Sequence, residues 1–145
     1  MNSAYTRFKT CHPLHVAAMA LLIFVSACGA SAQEPTIPHS AGIHSWFENG
    51  TGGHYVAPVI EGSIEALATG SRVGTVLTDT NCTPDSQGLS HCHNGIGFDD
   101  GSRITIVDNH QMSSHRCLRP GEHVRISLLE GRWITLQTGI NGPAQ

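Results

Sequence analysis

Past residue 58 the chain has no stretch with a sustained helical period. Instead, short apolar or alternating runs follow one another, cut apart by turn residues. That punctuation limits the fold more than any other feature. Residues 59–67, 72–78, 93–98, 103–107, 123–129 and 133–137 each carry the period-two or β-branched pattern of a strand. Asp99-Asp100-Gly101-Ser102 is a hairpin signal, because Asp-Gly accepts the positive φ that a tight turn needs. Pro120-Gly121 and Glu130-Gly131 mark further turns. The pattern predicts an all-β fold: a small antiparallel barrel of the SH3-like or OB-like kind, with about six short strands. Its inward positions are Ile104, Ile106, Val124, Ile126, Leu128, Ile134 and Leu136.

The first 32 residues read as an export signal. Arg7 and Lys9 precede an apolar run from Val16 to Val25, and small residues follow through Ala32. That run is about ten residues, too short to span roughly 30 Å of hydrocarbon. Val25-Ser26-Ala27-Cys28 resembles a bacterial lipobox, in which Cys28 becomes lipidated. Ala30-Ser31-Ala32 offers a competing site for plain cleavage. The expected location is therefore a bacterial envelope, periplasmic or held to the membrane through Cys28, with simple secretion as the alternative. Residues 33–58 are rich in Gly, Ser, Pro, Thr and His and are expected to form a flexible tether, although Trp46, Phe47, Tyr55 and Val56 have apolar side chains suited to docking. The barrel is expected over 59–139, with a tail over 140–145.

Charge narrows the partners. Loss of Arg7 and Lys9 with the leader leaves six arginines against eleven acidic residues, a formal charge of −5. Phosphate backbones need clustered cations, so nucleic acid is excluded as a partner class. Contact with a membrane is expected only through a lipid anchor at Cys28. Eight histidines remain, and each gains charge as pH falls through about 6.5.

The residues that bear chemistry fall in two stretches. His91-Cys92-His93 opens the third strand, and His110-Gln111-Met112-Ser113-Ser114-His115-Arg116-Cys117 follows the fourth. If Phe98 faces Arg103 across the hairpin, His93 falls opposite Asp108 and Cys92 opposite Asn109, which brings both stretches to one end. Imidazole suits zinc and copper, and thiolate or thioether favours Cu(I). His91, His93, His110, Met112 and His115 are the candidate ligands for copper or zinc, and Met112 between histidines resembles periplasmic copper sites in kind. Cys82, Cys92 and Cys117 are the disulfide candidates, with Cys82–Cys92 and Cys92–Cys117 as the pairings and one thiol left over. The first functional expectation is a non-enzymatic envelope protein that binds a transition metal. The alternative is a disulfide-stabilised module that binds an envelope protein without metal. The third is a thiol-dependent enzyme using Cys117 with His110 or His115.

Overall fold

The computed structural model describes residues 35–140. The expected signal segment 1–32, Cys28 and tail residues 141–145 lie outside the described residues. Six strands form: β1 (His54–Gly62), β2 (Arg72–Thr80), β3 (Ser90–Gly97), β4 (Arg103–His110), β5 (His123–Glu130) and β6 (Trp133–Gln137). They pair in the order β1-β4-β3-β2-β5-β6, and β6 returns to β1, so the antiparallel sheet closes into a barrel. Closure leaves no open sheet edge.

Alternation along each strand builds the core. Ile104, Ile106, Val124, Ile126, Ile134 and Leu136 are buried as expected, and Leu128 packs against them partly buried. Tyr55, Ala57, Val59, Val76, Ile96, Leu67 and Leu118 complete the cluster. Register shifts interrupt β1 between Val59 and Glu61, β2 between Val76 and Thr78, and β5 between Leu128 and Glu130. A bulge bends its strand and turns one residue aside. This is why Ile60 and Leu77, apolar residues within strands, are 45% and 39% exposed. Leu77 lies over Gly97, where an added Cβ would sit 3.0 Å from its Cδ1.

The first strand differs from its expected span. It begins at His54 and ends at Gly62, and a 3₁₀ turn over Glu65–Leu67 replaces the expected strand end. Gly62 has φ 88°, and a Cβ there would meet Arg103 O at 2.3 Å, so the chain must turn where only glycine fits.

The stretch expected to be a flexible tether is ordered over much of its length. Residues 39–53 carry three 3₁₀ turns, and His54 to Pro58 pair with β6. Trp46 is buried, stacks on Trp133 at 5.9 Å between ring centroids, and donates from Nε1 to Pro35 O at 3.2 Å. Asn49 is fully buried. Its Oδ1 accepts from Val56 N–H at 2.7 Å, and its Nδ2 donates to Val56 O at 3.0 Å and Asn109 O at 2.8 Å. Composition alone suggests flexibility here, but the aromatic and the asparagine find partners that are distant in sequence or belong to other elements.

Asn49→Ala leaves Val56 N–H buried without a partner, which costs about 1–3 kcal/mol, and it removes the link to Asn109 as well. Urea unfolding is expected to show a loss above about 2 kcal/mol for Asn49→Ala, against less than about 0.5 kcal/mol for the exposed Ile60→Ala. Equal losses would mean that Asn49 does not tie the N-terminal segment to the barrel.

Candidate functional site

The β3–β4 hairpin decides which side chains face inward. Phe98 N–H donates to Ser102 O at 3.0 Å, and Gly101 N–H donates to Phe98 O at 3.1 Å, with Gly101 at φ 83°. Phe98 therefore faces Ser102, not Arg103. The ladder runs Ile96↔Ile104, Asn94↔Ile106, Cys92↔Asp108 and Ser90↔His110, one residue away from the expected register. Opposed residues in an antiparallel pair share a face. Ser90, Cys92, Asn94, Asp108 and His110 are all buried, while His91 and His93 on the other face of β3 are only partly so. The barrel interior thus has an apolar end around Ile96, Ile104 and Ile106 and a polar end around Cys92 and Asp108.

Three sulfurs meet at the polar end. Cys82 and Cys92 form a disulfide. Cys117 is free and half-buried, and the Sγ atoms of all three lie within 4.8 Å of one another. Each cysteine is held from a different part of the chain. Cys92 is fixed in β3. Cys82 follows β2, and its Sγ lies 3.0 Å from Asp79 Oδ1, which also accepts from Asn94 Nδ2 at 3.0 Å. Cys117 sits in the loop between β4 and β5, which is tied down on both sides of it. Tyr55 OH donates to Arg116 O at 2.5 Å, Leu118 is in the core, and Arg116 pairs with Glu122.

The electrostatics there favour neutral thiol and phenol. Burial pushes the Cys117 thiol above its ordinary range, and the charges of Asp79 and Asp108 add to this. Burial also raises Asp108, although His110 beside it opposes the shift. Burial disfavours a charged His110, but Asp108 outweighs burial and raises its pKa. His110 Nδ1 lies 3.0 Å from Asp108 Oδ2, outside hydrogen-bond alignment, and its ring meets Tyr55 edge-on. Burial, with Asp108 next, raises Tyr55 from 10.0 to about 12. A thiol held protonated is a weaker nucleophile than a thiolate.

Each of the five candidate metal ligands has its own surroundings. His91 Nδ1 lies 2.6 Å from Asn109 Oδ1, and its Nε2 lies 3.4 Å from Asp85 Oδ2. His93 is half-buried, and its carbonyl accepts from Thr80 Oγ1. His110 is enclosed beside Asp108. Met112 is 48% exposed. His115 Nε2 lies 3.0 Å from Phe47 O. Among the described residues, the converging group of potential ligands is Cys82, Cys92 and Cys117, and it includes none of these histidines. The one-residue register difference explains the separation, since it puts His91 and His93 on the opposite face from His110. Asp79, Asn94, Asp108 and Tyr55, which surround the sulfurs, were missed from sequence. One signal pointed to Asp108: the alternation that buries Ile104 and Ile106 continues inward through Asp108 and His110.

The chain matches no protein-family model, no curated protein and no solved structure. Function therefore rests on the geometry of this site.

Tyr55 yields a test of that geometry. A phenol with a folded pKa above its unfolded value binds its proton more tightly when folded, so stability falls as pH rises between the two. For Tyr55 that window runs from about 10 to about 12. Unfolding free energy measured across it is expected to fall more steeply for the wild type than for Tyr55→Phe. Parallel slopes would show that Tyr55 is not in the charged, buried environment described.

Proposed function

We propose that this is an exported envelope protein of non-enzymatic role, whose barrel carries a three-thiol site for a soft transition metal when the Cys82–Cys92 bridge is reduced. One observation carries the reading: three Sγ atoms from three separate elements lie within 4.8 Å of one another. Thiolates select Cu(I) and zinc among common ions. Their surroundings support a cation, because burial, with the charges of Asp79 and Asp108 adding to it, disfavours a bare thiolate at Cys117, and a bound metal would offset that negative charge. A disulfide withdraws two of the three ligands, so metal capacity follows the redox state of the bridge. The leader supports export, and Cys28 is the proposed lipid attachment point.

A second reading is favoured by the bridge itself. Closed, it spans ten residues of sequence and stabilises a small domain by about 2–4 kcal/mol. In that state the protein acts as a disulfide-stabilised module for an envelope protein partner, without metal.

The two readings separate in a titration of the protein, reduced by a phosphine under argon, with Cu(I) and with Zn(II) against a competing chelator. One tight site per chain is expected, and it should be absent from the oxidised protein. Loss of a supporting residue around a metal typically weakens affinity 10–100-fold, so Cys117→Ser, which removes a ligand, is expected to cost more than about 100-fold. The His91→Ala, His115→Ala pair should bind as the wild type does. Weak binding of several ions, indifferent to Cys117→Ser, would leave the metal-free module as the function.

A further inference from the structure

We propose that Cys117 is an internal nucleophile that moves the disulfide, converting the Cys82–Cys92 bridge into Cys92–Cys117 and releasing Cys82 as the free thiol. This exchange concerns the oxidised, metal-free protein, so it stands apart from the metal reading. The geometry points to it because a free thiol and a disulfide share one cluster, with all three sulfurs within 4.8 Å. A disulfide bond is about 2.05 Å long, so Cys117 Sγ must travel under about 3 Å to reach a bridged sulfur. Rotation of one side chain covers that range.

The step balances without any outside oxidant. Cys117 gives its proton to solvent and attacks Cys92 Sγ as a thiolate. The Cys92–Cys117 bond forms as the Cys82–Cys92 bond breaks. Cys82 leaves with the electron pair and takes a proton from solvent. Cys92 is the natural fixed end, because it sits in β3 with its backbone paired to β4, whereas Cys82 and Cys117 lie on loops. The released Cys82 thiol has an acceptor in place, Asp79 Oδ1 at 3.0 Å.

Both loops have supports that do not involve sulfur, so neither isomer need unravel. Asp85 Oδ1 accepts from the backbone N–H groups of Gln87 and Leu89 at 2.8 and 3.0 Å, and Asp85 N–H donates to Leu89 O at 2.8 Å. The Cys117 loop keeps the Tyr55–Arg116 bond and the burial of Leu118. Charged and titratable groups face Cys117 from the elements packed around it. Asp79 from β2 and Asp108 from β4 oppose the thiolate, Arg116 beside it favours it, and Tyr55 of β1 interacts with it as well.

Trypsin reads the outcome directly. Cleavage after Arg72 and Arg103 yields a peptide, 73–103, that carries Cys82 and Cys92 together, and cleavage after Arg116 and Arg125 yields 117–125 with Cys117. Oxidised protein is held in chelator at mildly alkaline pH without added thiol, quenched in acid and alkylated. The monomer fraction is then digested without reductant and mapped by mass spectrometry. The expected result is 73–103 linked to 117–125, with Cys82 alkylated. Cys117→Ser should yield no linked peptide under the same conditions. The proposal is overturned if Cys117 is alkylated, Cys82 is not, and no linked peptide forms. A chain that migrates its bridge yet fails the reduced metal titration would retain the exchange and lose the metal reading, and the reverse result would do the opposite.

Discussion

Side chains directly opposed in an antiparallel ladder share a face, so the two turn hydrogen bonds that set Phe98 against Ser102 govern the whole interior. From that pairing, Ser90 meets His110, Cys92 meets Asp108, and Ile96 meets Ile104. A slip of one residue would leave Cys92 or Asp108 facing solvent and break the convergence of the three sulfurs. The remaining strands follow this hairpin. β2 pairs with the outer side of β3 and delivers Asp79 and Cys82, and β1 pairs with β4 and delivers Tyr55.

The two ends of the interior stand in tension. The apolar end is a close set of β-branched and Leu side chains that stabilises the barrel. The polar end buries Ser90 Oγ, Asn94 Oδ1, Asp108 Oδ2, Asn109 Nδ2 and both His110 ring nitrogens without an aligned hydrogen-bond partner. Each such atom costs on the order of 1–3 kcal/mol, so the apolar end must offset it. Asn49 satisfies other buried groups nearby, accepting from Val56 N–H and donating to Val56 O and Asn109 O. Polar surface concentrated at one end is where local opening is least costly, and the cysteines lie there.

The same negative surroundings give the sulfurs two alternative fates. Burial first, with the charges of Asp79 and Asp108 adding to it, favours the Cys117 thiol over its thiolate. With the bridge reduced, the proposed metal site would offer three thiols whose protons a soft cation would replace. The proposed metal capture and the proposed bridge migration would use one set of atoms in two redox states, and neither would need the histidines.

Strand number, strand order along the chain, turn positions and most inward apolar residues were legible in sequence, because period-two alternation and Asp-Gly or Pro-Gly turns are local signals. Ile104, Ile106, Ile126 and Leu136 follow from that pattern alone. The N-terminal segment was harder to read. Its glycines and prolines suggest flexibility, while the Trp46–Trp133 stack and the Asn49 bonds depend on partners remote in the chain or in another element. The cysteine pairing was narrowed to two choices, one of which forms. Local sequence thus determined an all-β chain with its chemistry near residues 82–117. Only the tertiary structure decided that sulfur gathers at the site and imidazole does not, because one residue of hairpin register sends His91 and His93 to the opposite face from Cys92, Asp108 and His110.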